Sequence, residues 1–119
     1  MSKRILCLCG LTIFVAGLAA GRLSAGNGPQ SKVLLDNQRV TVTEITMPPA
    51  AAREPYTRPS DQIIVFIDDA DYEATDAAGK KQTKHRQPGE IVWHDKGEAA
   101  PLLINKGSKP YRNLVIALK

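Results

Sequence analysis

A phenol, a guanidinium and an amide lie close together along the chain, at Tyr56, Arg58 and Gln62. Tyr56 and Arg58 are two residues apart, so they share one face of an extended segment. An arginine grips a carboxylate or a phosphate through two parallel hydrogen bonds, and phenol and amide groups can add further ones. These residue types predict a ligand-binding site for a small anion, formed by Tyr56, Arg58 and Gln62.

Two other interpretations of Arg58 remain open at this level. Glu54, Asp61 or Glu98 could neutralise its charge internally, which would make Arg58 a structural tie. Alternatively, Tyr56 and Arg58 could point outward at the rim of the fold. The three interpretations differ in whether the guanidinium is buried and in what carries its counter-charge.

The two histidines of the chain are His85 and His94. His85 lies in a run of lysines and polar residues, which predicts an exposed side chain. His94 follows Trp93, so in a strand one of the two faces the core and the other faces outward. We expect Trp93 inside, as a fourth ligand-binding residue, and His94 outside, with a general acid or base role for His94 as the alternative. The two histidines are not expected to pair as metal ligands.

The surrounding elements read as β-strands. Residues 40–47 are rich in β-branched side chains and roughly alternate, with a break in register that suggests a bulge near Glu44. Residues 63–67 are continuously apolar, as in a strand covered on both faces, with Gln62, Ile64 and Phe66 sharing one face. Residues 33–35, 91–94, 101–104 and 111–118 form further apolar segments, while residues 27–31 read as a disordered lead. Glycine and proline turns separate about eight short strands, which predicts an all-β sandwich or closed barrel.

A charged hairpin supports this pattern. Acidic residues precede the sequence Ala77-Ala78-Gly79, and basic residues follow it. Folding at this turn, where a glycine can take a positive φ, brings opposite charges across from each other. We therefore predict a solvated outer strand over residues 80–86.

The first 25 residues have the pattern of a signal peptide. Lys3 and Arg4 precede an uncharged apolar run over residues 5–21, and small residues ending at Ala25 suit a signal peptidase, with Ala20 as the alternative cleavage point. An uncleaved membrane anchor over residues 5–21 is the other interpretation. Both cysteines lie in this segment, so the exported chain would contain no disulfide. The localisation predicted is therefore periplasmic or secreted.

Net charge excludes nucleic acid as a partner. The whole chain carries 16 Lys and Arg against 12 Asp and Glu. Three of the basic residues and none of the acidic ones fall in the first 25 residues, so the remainder is nearly neutral. Such a surface has no long-range field to attract nucleic acid.

Two spaced sets of residues resemble the two motifs of the cupin superfamily. The first motif of that family carries Gly, His-x-His and Glu, and the second carries Gly, Pro-x-Gly and His. At the same intervals this chain carries Ala50, Tyr56, Arg58 and Gln62, then Gly89, Asp95, Gly97 and Ala100. The resemblance implies a small antiparallel jelly-roll barrel over residues 40–119, with residues 26–39 as an N-terminal lead and first strand. The four metal-ligand positions of the family correspond to Tyr56, Arg58, Gln62 and Ala100.

The substituted ligands imply that the protein binds no metal and needs no cofactor, since imidazole and carboxylate donors suit the ions that cupins bind. The resemblance then implies an exported, metal-free barrel that binds a small anionic ligand. One alternative is a metal-independent isomerase or lyase that uses Tyr56 or His94. Another is a structural or partner-binding barrel with a filled interior. Cupins often pair through outer strands, so we also predict a homodimer, with residues 33–35 as a candidate for exchange between subunits.

Overall fold

The computed structural model describes residues 28–119, in which eleven β-strands and no helix are found. The strands are β1 (Gln30–Asp36), β2 (Val40–Met47), β3 (Ala52–Arg53), β4 (Tyr56–Thr57), β5 (Gln62–Phe66), β6 (Ala70–Thr75), β7 (Lys81–Arg86), β8 (Ile91–His94), β9 (Ala99–Ala100), β10 (Leu102–Asn105) and β11 (Tyr111–Leu118). Strands β3, β4 and β9 have only two residues each, which leaves eight longer strands. The predicted signal segment lies outside the described residues. Within them, no helix has the length and apolarity needed to cross a membrane.

All strand pairs are antiparallel, and they form two main sheets. One sheet has the order β1-β2-β11-β5-β8 and the other the order β3-β10-β6-β7, while β4 and β9 form a separate pair. Neighbours such as β2 and β11 come from opposite ends of the described chain, as in a jelly roll. The predicted all-β fold of about eight short strands is confirmed.

The core lies between the two main sheets. Met47, Ile64 and Phe66 come from the five-stranded sheet and Tyr72 from the four-stranded one. The rings of Phe66, Tyr72 and Tyr111 form a triangle with centroids 6.1 to 6.2 Å apart. Such aromatic contacts contribute about 0.5–1.5 kcal/mol each beyond the area they bury. The predicted alternation of β5 is confirmed, since Gln62, Ile64 and Phe66 share one face and are all buried. The prediction that both faces are covered is only partly met, because Ile63 and Val65 are partly buried.

A buried amide fixes the turn between β10 and β11. Asn105 Nδ2 donates to the carbonyl oxygens of Met47 at 2.8 Å and Lys109 at 3.0 Å, and Oδ1 accepts from the backbone N–H of Gly107 at 2.9 Å. All of its polar atoms are therefore satisfied, as a buried amide requires. The contact to Met47 ties this turn to the end of β2 and so closes one end of the barrel.

The outer face of the five-stranded sheet is largely apolar as well, with polar residues such as Glu44, Thr46 and Arg112 toward one end. Residues opposite each other in register point to the same side of a sheet, so pairs such as Ile63 and Trp93 share a face. Ile91 and Trp93 on that face are 67% and 50% exposed. We call this the outer sheet face, and its apolar members are Leu35, Val40, Val42, Ile63, Val65, Ile91, Trp93, Leu114, Ile116 and Leu118.

Two local predictions about the first strands were wrong. Gln30 and Ser31 were predicted to be disordered, but they pair with Thr46 and Ile45 as the start of β1. The predicted bulge near Glu44 lies instead in the partner strand, where the register shifts between Val33 and Leu35. Strand β2 itself pairs with β11 without interruption, so the extra residue is accommodated at the sheet edge.

The charged hairpin is formed by β6 and β7, as predicted. Gly79 in its turn has φ +85°, and Asp76 accepts hydrogen bonds from the backbone N–H groups of Ala78 and Lys80 at 2.9 Å each. One prediction for this hairpin needs correction. Lys84 and Arg86 are partly buried, because their side of β7 lies opposite Tyr72 and Ala70 and faces the interior.

Candidate functional site

Tyr56, Arg58 and Gln62 meet at one end of the barrel. Arg58 Nη1 donates to Gln62 Oε1 at 3.0 Å and to Tyr56 Oη at 3.2 Å, and Tyr56 Oη lies 3.5 Å from Gln62 Oε1. Arg58 and Gln62 are only 4% and 5% exposed, whereas Tyr56 is 39% exposed. The interpretation in which Arg58 points outward is therefore wrong. Tyr56 does lie at the rim, with its hydroxyl turned toward the buried guanidinium.

Tyr56 and Arg58 line a cavity of about 220 Å³ inside the barrel. Its apolar wall includes the aromatic rings of Phe66, Tyr72 and Tyr111. Burial raises the pKa of the Tyr111 phenol, which keeps it protonated. Four cationic side chains and a single carboxylate, that of Glu98, line the cavity. The cations are Arg53, Arg58, Lys84 and Arg86.

The turns around the cavity keep the glycine geometry expected from the motif spacing. Gly89 and Gly97 have φ +86° and +84°, and Ala50, which replaces a glycine of the cupin motif, has φ +66°. Ala100 is buried directly opposite Tyr56 in the β4–β9 pair. Of the four positions that correspond to cupin metal ligands, Tyr56 and Arg58 line the cavity. Gln62 is hydrogen-bonded to Arg58, and Ala100 is paired with Tyr56.

Comparison with solved structures identifies the architecture. A cupin domain from Bordetella pertussis superposes with a TM-score of 0.70 at 23% identity, covering 77% of this chain and 94% of the other. Residues 28–119 adopt the cupin fold. No protein-family model matches this cupin-fold chain, and no curated protein matches it significantly in sequence.

Two further similar structures are those of enzymes. The polyketide cyclase RemF from Streptomyces resistomycificus has a TM-score of 0.64 and 20% identity over 76% of this chain. A sugar phosphate isomerase from a cupin superfamily, from Silicibacter pomeroyi, has a TM-score of 0.61 and 19% identity over 81% of this chain. The present chain spans 64% and 62% of the lengths of these two proteins. At these identities the likeness concerns the cupin fold alone.

Within this cupin fold, the predicted orientations of Trp93 and His94 are reversed. His94 lies opposite the buried Gln62 and lines the cavity, while Trp93 lies opposite Ile63 on the outer sheet face. Trp93 is half exposed and its Nε1 donates to Asp95 Oδ1 at 2.8 Å, so it does not join Tyr56, Arg58 and Gln62. The prediction failed because both faces of β8 are apolar.

His94 forms a hydrogen-bonded pair with Glu98 at the cavity wall. The distance from His94 Nδ1 to Glu98 Oε2 is 2.7 Å. This hydrogen bond lowers the pKa of the Glu98 carboxyl, and the positive charge of Arg58 contributes in the same direction. An imidazole held by a carboxylate beside a cavity is an arrangement that can move a proton.

Glu98 is also the carboxylate closest to Arg58 among the three candidates named from the sequence. Its Oε2 is 3.9 Å from Arg58 Nε, which is an ion-pair distance but not a hydrogen bond. Asp61 accepts instead from the backbone N–H of Lys96 at 2.8 Å. Within residues 28–119, Glu54 makes no ion pair with Arg58. Within residues 28–119, the positive charge of Arg58 is therefore only weakly balanced by Glu98.

Three buried polar atoms along this cavity have no hydrogen-bond partner among the described residues. They are Arg53 Nε, Arg58 Nε and Asn113 Oδ1. Buried polar atoms in native proteins are nearly always satisfied, so each of these is available to a ligand or to a water molecule. Two unsatisfied donors and one acceptor, all lining one cavity, match a ligand that offers an anionic oxygen and a hydroxyl group.

His85 is exposed, as predicted, and it is remote from His94 in the fold. It lies on β7 in the four-stranded sheet, and its Nδ1 is 2.6 Å from Asp71 Oδ1. This hydrogen bond raises the pKa of His85. Nowhere in residues 28–119 do three His, Cys, Asp or Glu side chains come together as a metal site.

Sequence reasoning missed Arg53, Lys84, Arg86 and Asn113 as cavity residues. Arg53 follows the first motif residue closely, but its strand β3 pairs with β10, far along the chain. Lys84 and Arg86 alternate with His85, and that period of two was the available signal for an inward face. Asn113 interrupts the apolar run of β11 at an inner-face position, between Tyr111 and Val115.

Proposed function

We propose that the protein binds a small anionic molecule, a carboxylate or a phosphate, in the barrel cavity, without a metal ion and with Arg58 as the main anchor. Tyr56 and Gln62 hold one side of the Arg58 guanidinium, so its position is fixed before a ligand arrives. A pre-positioned guanidinium loses little freedom on binding, which favours affinity. The excess of cations around the cavity favours an anion over a neutral ligand.

The observation that carries this proposal is the burial of Arg58 without a close carboxylate. Its nearest carboxylate oxygen is 3.9 Å away and is already hydrogen-bonded to His94. A charge taken out of water is costly unless it is paired and hydrogen-bonded. A ligand anion at Arg58 Nε would supply both the missing charge and the missing acceptor.

Arg58→Ala tests the proposal in a thermal-shift and calorimetric screen of small carboxylates and phosphates. The parent protein should be stabilised by one or more of these anions. Loss of a charge-assisted hydrogen bond costs about 1.5–3 kcal/mol, so affinity should fall roughly tenfold to a hundredfold. The melting temperature of the unliganded variant should stay near that of the parent.

Arg39→Ala is the matched control, since Arg39 is exposed in the turn between β1 and β2. It should bind the same anions as the parent does. The proposal fails if the parent responds to no anion and Arg58→Ala lowers the melting temperature strongly. That combination would identify Arg58 as a structural tie to Glu98.

The metal-free part of the proposal rests on the chemistry of the four substituted positions. A guanidinium repels a divalent cation, a glutamine offers one neutral oxygen, and Ala100 offers no donor. Elemental analysis of protein purified without a histidine tag should find no stoichiometric transition metal. About one iron, manganese, nickel or zinc per chain, retained after mild chelation, would contradict it.

Export is the remaining part of the proposal, and it rests on the N-terminal pattern of residues 1–25. Expression of the full chain in a bacterium should yield a periplasmic or secreted protein whose N-terminus is Gly26. Recovery of the intact chain in the membrane fraction would instead support an anchor over residues 5–21.

A second candidate function is proton transfer by a metal-independent isomerase or lyase. The His94–Glu98 pair favours it, because an imidazole and a carboxylate lie beside the residue proposed to hold the anion. An enzyme of this kind would transfer a proton to His94 from a carbon next to a carbonyl group of the bound anion, which leaves an enolate. A structural role with a filled interior is less well supported, given the open cavity.

Hydrogen exchange separates the two functions. Each anion that stabilises the protein is incubated with it in D2O and followed by proton NMR for loss of a carbon-bound proton. Catalysis would be supported if His94→Gln abolishes the exchange and its affinity for the anion stays within a few fold of that of the parent. Binding without exchange in the parent would leave the binding function alone.

A further inference from the structure

A second arginine shares the Tyr56 ring with Arg58. The Cζ atom of Arg53 lies 5.2 Å from the ring centroid of Tyr56, and that of Arg58 lies 5.6 Å from it. Both distances are within the range of a cation–π contact. Two guanidinium groups are therefore held at one phenol at the mouth of the cavity.

The positive charge of Arg53 is balanced less by neighbouring residues than that of Arg58. Its Nη2 donates to the carbonyl oxygen of Pro101, its Nε is buried without a partner, and it makes no ion pair within residues 28–119. Burial lowers the pKa of Arg53, and the nearby charge of Arg58 lowers it further. The two arginines therefore repel each other in the absence of an anion.

The cavity carries more positive than negative charge. Arg86 Nη1 lies 2.5 Å from Glu90 Oε2, so Glu90 neutralises Arg86. Glu98 is the one carboxylate that lines the cavity. Four cations thus face two carboxylates, which leaves two positive charges uncompensated. A single carboxylate would balance only one of them.

The cavity also continues past Arg53. An adjoining space of about 260 Å³ is bordered by Arg53, Tyr56 and Asn113 and by residues 29–31 at the start of β1. Arg53 and Tyr56 therefore border both spaces, whereas Arg58 borders the first one. A ligand whose charged group is held at this point has room for further atoms on either side.

From these contacts we infer that Arg53 is a second anion-binding residue, and that the site takes a group with two negative charges held between Arg53 and Arg58. The inference rests on the proposed function and specifies its ligand class. A phosphate monoester and a dicarboxylate share the required chemistry. Each guanidinium Nε–H donates to a separate anionic oxygen, and both cations stay in contact with the Tyr56 ring.

Isothermal titration calorimetry with inorganic phosphate, malonate and acetate tests this inference. The variants are Arg53→Lys, Arg58→Lys and, as a control, the exposed Arg39→Lys. A lysine keeps the charge but loses the planar fork and the Nε–H group. The parent and Arg39→Lys should bind phosphate or malonate at least tenfold more tightly than acetate, and whichever of the two binds more tightly identifies the ligand class.

Arg53→Lys should weaken binding of that dianion roughly tenfold and leave acetate binding within about twofold, whereas Arg58→Lys should weaken both. Equal affinity of the parent for acetate and the dianions would overturn the inference even if Arg53→Lys does not fold. Equal weakening of acetate and dianion binding by Arg53→Lys would also overturn it. Either result leaves the proposed function intact, because that function requires only that the parent bind a small carboxylate or phosphate.

Discussion

His94 Nδ1 lies 2.7 Å from Glu98 Oε2, and the same carboxylate oxygen is 3.9 Å from Arg58 Nε. One carboxylate thus contacts both an imidazole and a guanidinium that line the cavity. Since its hydrogen bond is to the histidine, Glu98 reduces the positive charge at Arg58 without occupying its donor. An incoming anion must approach Arg58 against the charge of Glu98.

Glu98→Gln should therefore tighten binding of small anions. Glu98 is partly exposed, so solvent screens its charge, and we expect an effect of about three- to tenfold. Calorimetric titration of phosphate and malonate measures it, with Glu54→Gln as a control that removes an exposed carboxylate outside the ion pair. Unchanged or weaker binding by Glu98→Gln would show that Glu98 does not oppose the ligand.

Acid should destabilise the fold partly through Asp68. This carboxylate accepts hydrogen bonds from Arg112 Nε at 2.8 Å and Nη2 at 3.1 Å, which lowers the pKa of Asp68 below its ordinary value of 3.8. A group whose pKa is lower in the folded state stabilises the fold above its unfolded pKa, and this stability is lost as the pH falls through the folded value. The free energy of unfolding, measured with urea between pH 5 and pH 2.5, should fall less steeply for Asp68→Asn than for the parent.

The control for this prediction is Asp69→Asn, the exposed neighbour, which should follow the parent profile. If the free energy of unfolding depends on pH in the same way for the parent and for Asp68→Asn, the ion pair between Asp68 and Arg112 does not form in solution.

Ala50→Gly should stabilise the protein. Ala50 has φ +66°, a left-handed conformation that costs an L-residue with a Cβ roughly 1–2 kcal/mol. Glycine removes this strain but gains freedom in the unfolded chain, so we expect a net gain of up to about 1 kcal/mol. Chemical denaturation measures the difference.

Gly97→Ala is the reciprocal test. Its φ is +84°, and a Cβ added there would meet no atom within 4 Å, so its cost is that of the backbone alone. A loss of about 1 kcal/mol or more is expected. Destabilisation by Ala50→Gly would mean that the turn is not left-handed at that residue in solution.

We propose that the outer sheet face forms a homodimer. The face is five strands wide, roughly 24 Å, and its eight-residue strands β2 and β11 are roughly 26 Å long. Such an area is comparable with the ~800 Å² that each partner contributes to a stable interface. A second copy would supply an equally apolar, self-complementary surface, as two sheets packed face to face require.

Light scattering at tens of micromolar should show a dimer for residues 26–119. The double variant Ile91→Ser, Trp93→Ser should be monomeric, because both side chains are exposed on this face. Leu34→Ser is the control, since Leu34 is the unpaired residue of the irregularity in β1. A monomeric parent would contradict the proposal, and dissociation by Leu34→Ser alone would favour exchange of residues 33–35 instead.

The positions of most strands along the chain could be predicted from the sequence because turns and alternation are local signals. The bounds of β2, β8 and β11 agree with the apolar segments, and the turn at Gly79 is where expected. The bulge was assigned to the wrong strand because a break in alternation marks a pair of strands, and only the pairing shows which member carries the extra residue.

The site was predicted only where its residues are close along the chain. The convergence of Tyr56, Arg58 and Gln62 was implied by the resemblance to the first cupin motif, and they do meet. Arg53 and Arg86 reach the cavity through pairing with distant strands, which composition and spacing do not reveal. Trp93 was misassigned because hydrophobicity distinguishes inside from outside only when one face of a sheet is polar.

The position of Trp93 has a consequence for any optical study of this protein. It is the sole tryptophan of the chain, and it lies on the outer sheet face with its indole N–H bonded to Asp95. Its intrinsic fluorescence will therefore report on what covers the sheet and remain nearly silent when the cavity fills. A blue shift on raising the protein concentration is the signal to expect from it, and an unchanged emission spectrum on adding an anion carries no information about binding.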